Sequence, residues 1–487
     1  MSAKSQSIDT HIDNLFKPIS ESFFNVVFYK VPIPGFESLE IQLILIWLSF
    51  AAIFFSVYLG FINIRYFRHA LRLLFGEGMK KGDDGEISQF KALMASLSGT
   101  VGLGNIGGVA VAISLGGPGA VFWMTVMGFL GMSSKFAEVM LGVKYRVHPD
   151  PDMPNKVSGG PMYFLKEGFA RHNLPAVGRF FAGLFAALCI IGAIGGGNMY
   201  QANQSFEQLL LVTGGDVSPL KGAGWMFGVV LAILVASVIM GGLQSIANVA
   251  SKLVPAMAGL YLLAGVCVLV IYFNRIPAAF VTIFQDAFSM KAGFGALLGG
   301  LLIGVQRAAF SNEAGLGSAS IVQSTTNTDG PVGTGMVAML GPFIDTVLIC
   351  NITALVIVIT GAYTATDGIV GVQLTSMAFE RALPNFSYAL TVIVLLFAYS
   401  TMISWYYCGA VCFRYLFGEK ESIEGLFKIF FCLCIVVGAA MKLNNLINFA
   451  DAAMMSMAIP NIIGLYLFAP EIRRDVKAYI KEVKKRK

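Results

Sequence analysis

The chain has 487 residues, 56% of them hydrophobic and only 13% charged, with a formal net charge of +6. Soluble domains carry about 25% charged residues, so a soluble globular protein is excluded and an all-α polytopic membrane protein is expected. Many of the 54 glycines and 17 prolines fall inside apolar runs, as transmembrane helices tolerate and soluble helices usually do not.

Residues 1–20 contain no short apolar core ahead of a small-residue cleavage site, so no removable signal is expected. Apolar runs of the length that crosses the hydrocarbon, about 20 residues, follow in order. They lie at 41–64, 91–115, 119–143, 179–204, 223–241, 250–273, 293–322, 332–360, 387–416, 425–442 and 446–469. The count of about eleven spans is odd, which puts the termini on opposite sides. Arg65, Arg68, Arg72, Lys80 and Lys81 follow the first run, Lys144, Arg146, Lys156, Lys166 and Arg171 follow the third, and the tail 470–487 is basic. The positive-inside rule makes these segments cytoplasmic and the N-terminus external, in a cell membrane. The tail is read as facing anionic lipid rather than nucleic acid. Segments 276–290 and 368–383 carry apolar residues at helical spacing and are expected as short amphipathic helices on the outer side.

Two matches inside the chain divide it. SGTVGLGN at 98–105 in the second run and SNEAGLGS at 311–318 in the seventh share Ser, Gly, Leu and Gly in register. PAMAGLYL at 255–262 in the sixth and PNIIGLYL at 460–467 in the eleventh share Pro, Gly, Leu, Tyr and Leu. Both matches pair runs two to six with runs seven to eleven. A five-span unit starts on one face and ends on the other, so its second copy is inverted, as in secondary transporters whose interrupted helices meet near the midplane. The expected organisation is a segment 1–90 with one extra span and a cytoplasmic loop, a five-span repeat 91–273, its inverted copy 274–469, and the tail 470–487.

Gly102, Gly104 and Gly107 spell a G-x-G-x-x-G, but they sit inside an apolar run and the next acidic residue is Glu138. A dinucleotide site needs a strand before the glycines and an acid about 20 residues on, so this reading fails. Glycines that unwind a helix in a bilayer instead free N–H and C=O groups, which must find partners. The N–H end of a half-helix suits a carboxylate, and freed carbonyls suit a cation such as sodium.

SGTVGLGNIGG (98–108), SGGPMYFLKEG (158–168), QRAAFSNEAGLGSAS (306–320) and YSTMISWYYCG (399–409) together resemble the alanine/glycine:cation symporter family of bacteria and archaea, over about residues 90–469. The resemblance implies a leucine-transporter-type five-plus-five inverted repeat with two broken helices, preceded by one extra span. It implies sodium- or proton-driven uptake of small neutral amino acids. Carried over by motif, Thr100, Gly102 and Gly104 would hold the substrate carboxylate. The carbonyls of Ser98, Val101 and Phe397 with the hydroxyls of Ser400 and Thr401 would hold sodium. Asn105 matches a ligand of a possible second cation. Phe310, Ser311 and Asn312 would bound the pocket and accept the substrate ammonium, while Gln201 and Trp405 would face it. Phe310, Trp405 and Phe206 would leave room beyond Cα for hydrogen or methyl, and one methylene too many costs about 1–3 kcal/mol.

Lys135, Glu138, Arg307, Glu313, Asp345 and Asp451 fall inside the runs. Such residues default to pathway or pairing roles. Lys135 and Glu138 are expected as a local, snorkelling pair near the cytoplasmic end. Glu313, in the second break, is a candidate gate partner or proton-linked group, and Asp345 and Asp451 receive no role. The cysteines Cys189, Cys267, Cys350, Cys408, Cys412, Cys432 and Cys434 and the four histidines form no ligand pattern, so neither a disulfide framework nor a cofactor is expected. The absence of an H-E-x-x-H or G-x-S-x-G motif and of a filter-like segment argues against an intramembrane enzyme and a channel. Proton coupling, and serine or D-alanine as substrate, stay open, as does the oligomeric state.

Overall fold

The computed structural model describes residues 8–33, 36–75, 85–149, 156–289, 294–328, 330–364 and 371–485. Lys80, Lys81 and residues 290, 293 and 368–370 of the expected segments lie outside them. Backbone in hydrocarbon must satisfy its own N–H and C=O groups, and a helix does so within one segment. The described chain is mostly helical.

It opens with helix α1 (Ile8–Val27) and an antiparallel hairpin of β1 (Lys30–Ile33) and β2 (Phe36–Gln42), then α2 (Leu43–Tyr58). The second apolar run divides into α3 (Gln89–Thr100) and α4 (Gly104–Gly116), bent by 51°. There follow α5 (Ala120–Lys144), α6 (Pro161–Arg171), α7 (Pro175–Val212), α8 (Gly224–Ile239) and α9 (Gly242–Ile271). The rest of the chain holds α10 (Ile276–Ala287), α11 (Phe294–Asn312), α12 (Ser318–Gln323), α13 (Pro331–Ile359), α14 (Val372–Ala382), α15 (Phe386–Phe417), α16 (Glu421–Ala440) and α17 (Leu443–Lys485).

Seven of these, α5, α7, α9, α13, α15, α16 and α17, are long and apolar enough to cross a membrane, and the bent α3–α4 pair makes an eighth. The remaining expected runs fall short for physical reasons. α2 and α8 have 16 residues each, and 16 residues make about 24 Å of helix against a hydrocarbon core of about 30 Å. The seventh run is cut into α11 and α12 by residues 313–317.

Helix α1 and the hairpin were not expected from the sequence. α1 is amphipathic and docks on the start of α17, where Phe16 meets Phe449 edge-on at 4.8 Å. Asp13 Oδ1 accepts from the Lys442 N–H at 3.0 Å and from Asn445 Nδ2 at 2.9 Å. The two expected amphipathic helices are present as α10 and α14. Each is tied into the bundle: Asp286 of α10 accepts from Gly119 N–H at 2.7 Å, and Thr375 of α14 donates to the Ile106 carbonyl at 2.9 Å. Lys144, Arg146, Arg171 and Arg414 gather at the end where α5 and α15 finish, called here the basic end. There Arg146 donates to the carbonyls of Ser324, Thr326 and Thr328 just after α12, and Ile87, just before α3, bridges Thr326. α3 and α12 therefore point from the two breaks toward the basic end, and α4 and α11 point away from it.

Three π-helical segments, Gly104–Gly108, Gly195–Met199 and Phe343–Cys350, flank the breaks. Such wide turns often mark functional sites. At Gly197 an added Cβ would lie 2.2 Å from the Trp405 ring, so the bare backbone there lets α15 approach α7.

Candidate functional site

The first break runs through residues 101–103. Two of its freed N–H groups are taken by side chains: Gly102 donates to Asn105 Oδ1 at 2.9 Å and Leu103 to Gln201 Oε1 at 3.1 Å. Gln201 Nε2 donates in turn to the Gly196 carbonyl at 2.9 Å. Gln201 thus meets the expected site as a buried brace for the unwound backbone. An added Cβ at Gly102 would fall 2.4 Å from Thr401 Oγ1, so glycine is what lets the break lie against α15.

Along that contact, Thr401 Oγ1 donates to the Ser98 carbonyl at 3.1 Å, Ser98 Oγ to the Ser400 carbonyl at 2.7 Å, and Ser400 Oγ to the Phe397 carbonyl at 2.9 Å. Four of the five residues assigned to sodium thereby form one chain of oxygens between α3 and α15. Val101, the fifth, lies buried in the break, its N–H donated to the Leu97 carbonyl at 2.6 Å. Thr100 ends α3 with its hydroxyl turned back to the Leu97 carbonyl at 3.4 Å.

The second break is held by charge. Glu313 has φ 57°, and Gly315 and Gly317 have φ 88° and 89°, the left-handed region that ends α11 abruptly. Lys135 Nζ donates to the carbonyls of Asn312 and Glu313 at 3.1 and 3.3 Å, where the negative end of α11 is exposed. Glu138 Oε2 accepts from the N–H groups of Gly315 and Gly317, each at 3.1 Å, just ahead of α12. The two side chains pair at 3.5 Å and are 1% and 0% exposed. The expectation of snorkelling is therefore corrected. An ammonium and a carboxylate one turn apart match the two half-helix ends, and both turn inward because the break supplies hydrogen bonds that lipid and interface do not.

Asp345 sits between the breaks. Its carboxylate accepts from Ser311 Oγ at 2.5 Å, Asn105 Nδ2 at 2.7 Å and Thr346 Oγ1 at 2.8 Å. Ser311 and Asn105 are thus brought together, whereas Asn312 turns to α13, donating to Thr346 Oγ1 at 3.0 Å while its Oδ1 caps the Ala314 N–H. Among the described residues no group of three or more His, Cys, Asp or Glu converges. The oxygens that do converge are carbonyls, hydroxyls, amides and single carboxylates, the donors hard cations prefer.

Phe310 lies against Gly104, where an added Cβ would come 3.4 Å from its ring. Tyr200 meets it edge-on at 5.1 Å, and the Arg307 guanidinium lies 5.2 Å from its centroid. Arg307 pairs with Asp451, which also accepts from Gln306 Nε2 at 2.7 Å. These groups close the side of the site away from the basic end. On the other side Trp405 donates to Glu313 Oε1 at 3.1 Å, and Ser318 Oγ donates to Glu313 Oε2. Phe206 is corrected: its ring packs on Phe227 of α8 at 5.4 Å, away from the pocket. Tyr200 and Met454, which covers the bare face of Gly196, were missed, because an aromatic or a methionine in an apolar helix carries no sequence mark of the face it occupies.

Two helices interrupted inside an apolar bundle, with charged and polar groups set against the freed backbone, define a secondary transporter. The chain belongs to the sodium:alanine symporter family, the match covering residues 33–487. It is 42% identical over 438 residues to the sodium/alanine symporter AgcS of Methanococcus maripaludis, covering 89% of this chain and 93% of that one. It is 32% identical over 474 residues to the amino-acid carrier protein AlsT of Bacillus subtilis, covering 95% and 94%. Among solved structures, MhsT in complex with L-phenylalanine superposes with a TM-score of 0.54 at 16% identity, over 80% of this chain and 90% of that one, a likeness of fold. The protein is a multi-pass membrane transporter of amino acids, not an enzyme.

Proposed function

We propose that the protein is a sodium-coupled symporter that carries small neutral amino acids, alanine and glycine first, into the cell by alternating access. The observation that carries this reading is the chain of oxygens from Ser98, Phe397, Ser400 and Thr401 joining α3 to α15 beside an unwound backbone. Those hydroxyls and carbonyls, with the Val101 carbonyl, would ligate sodium in place of one another. The ion would draw the broken helix onto α15 and favour the substrate-ready state, so ion and amino acid bind with positive coupling. The backbone at Thr100, Gly102 and Gly104 would take the substrate carboxylate, the Gly102 N–H exchanging its Asn105 partner for it. Phe310, Ser311, Gln201 and Trp405 would bound the rest of the substrate.

The same reading includes eleven spans with 91–273 and 274–469 as inverted repeats, an external N-terminus, and a cytoplasmic tail against lipid. The basic end is then the cytoplasmic end. Asn105, with Ser311 and Asp345, would hold a second cation. One observation favours proton coupling instead: Asp345 is buried with only neutral donors in contact, and a proton would neutralise it as well as a metal ion.

The test is uptake of labelled alanine and glycine into proteoliposomes under a sodium gradient and, separately, a proton gradient of equal size. Uptake driven by sodium alone, lost in Thr401→Ala without loss of membrane insertion, is the expected result. Uptake driven by protons alone moves the coupling to Asp345, and normal sodium-driven uptake by Thr401→Ala removes the ion site.

A further inference from the structure

Below the pocket, on its basic-end side, a cavity of about 10 Å³ opens between α3, α12 and α15, about the space of one water molecule. Ser96 and Gly99 line it from α3, Ser404 and Trp405 from α15, and the Glu313 carboxylate from the second break. Two features there leave polar capacity unused. Glu313 is 4% exposed and its carboxylate contacts two neutral donors, Trp405 Nε1 and Ser318 Oγ; Lys135 reaches only the backbone carbonyl of Glu313 and pairs with Glu138. The Ser404 hydroxyl, on a residue 2% exposed, has no hydrogen-bond partner. A buried carboxylate without a cation in contact and an idle buried hydroxyl each cost stability, and inside a membrane such groups mark pathways.

We propose that this cavity is an exit subsite for the primary ammonium group of the transported amino acid. The inference rests on the transport reading above, with the basic end as the side of release. An ammonium presents three N–H donors, and the cavity presents Glu313, Ser404 and Ser96 oxygens to receive them. Trp405 links the two places: its ring packs on Gly197 in the pocket wall, and its indole N–H is held by Glu313. When the ammonium reaches Glu313 it competes for the same oxygen, frees the indole to swing, and opens the way toward the basic end. The negative charge lowers the barrier for a cation leaving the pocket, and Gly99, where an added Cβ would stand 3.8 Å from both Ser404 and Trp405, leaves the passage open on the α3 side.

The test separates binding from release. Glu313→Gln keeps an oxygen for Trp405 and a polar group for Ser318 but removes the charge. Reconstituted wild type, Glu313→Gln, Glu313→Asp and Ser404→Ala are compared for the equilibrium Kd of alanine in sodium and for kcat of uptake. The expected result is a Kd within twofold of wild type in all, a kcat at least tenfold lower in Glu313→Gln, a few-fold lower in Ser404→Ala, and partly recovered in Glu313→Asp. A kcat within twofold of wild type in Glu313→Gln overturns the proposal. So does a Kd that rises in step with the loss of kcat, which would put Glu313 in the pocket itself, and so does a change confined to the sodium dependence, which would make the cavity a sodium site. Wild type that neither binds nor transports alanine refutes the transport reading instead, before any variant is compared.

Discussion

Lys135→Met tests whether the second break is held open by charge. The substitution removes two hydrogen bonds from an ammonium to the carbonyls of Asn312 and Glu313 and leaves Glu138 buried without its partner. Breaking a buried pair in this way costs about 3–5 kcal/mol. The double variant Lys135→Met, Glu138→Leu makes the argument specific. A pair that served only itself would be replaced by apolar groups at little cost. Here the double variant strips the Gly315 and Gly317 N–H groups of their acceptor, and each buried orphan costs about 1–3 kcal/mol. Equilibrium unfolding in mixed micelles should therefore show both variants destabilised, the double by at least about 2 kcal/mol. A single variant within about 1 kcal/mol of wild type, or a double as stable as wild type, refutes the clamp.

Other outcomes follow from single contacts. Gly102→Ala places a Cβ 2.4 Å from Thr401 Oγ1, whereas one at Gly108 meets nothing within 4 Å; sodium-dependent uptake should be lost in Gly102→Ala and kept in Gly108→Ala. Asp451→Ala leaves Arg307 buried without its carboxylate and should lower stability by about 3–5 kcal/mol in the same unfolding assay. Glu380 caps the start of α15, accepting from the N–H groups of Asn385 and Ser387 at 2.7 and 3.0 Å, and these bonds hold its carboxyl below the usual range. A depressed carboxyl stabilises the fold above its unfolded pKa and loses that contribution as pH falls through the folded one. Glu380→Ala should cost about 1 kcal/mol at neutral pH, with the difference from wild type vanishing in acid.

How much could be read in advance differs from residue to residue. Ser98, Ser400 and Thr401 were marked through the resemblance of their motifs to a family, whereas the hydrogen bonds that link them between α3 and α15 came from the structure. The partners of Asp345 and Asp451 were not, since each lies in a different helix from the groups it binds. Asp451 takes Gln306 and Arg307 across well over a hundred residues of chain, and nothing in either stretch names the other. Gln201 was marked as functional by being an amide in a span, but its task, bracing the Leu103 N–H, depends on a rotation of α7 that periodicity leaves open. Phe206 was misplaced for the same reason.

By itself the amino-acid sequence determined that this protein lives in a membrane, where most of its apolar helices run, and where two of them must give way. Hydrophobicity and glycine are local properties, and the bilayer reads them segment by segment. Only the tertiary structure decided that Lys135 and Glu138 turn inward to hold the second break, and that Asp345 joins the two breaks. It alone decided that Glu313 and Ser404 face a cavity below Trp405. In a low-dielectric interior a charged or polar side chain goes wherever complementary groups converge, and that convergence exists only once the helices have packed.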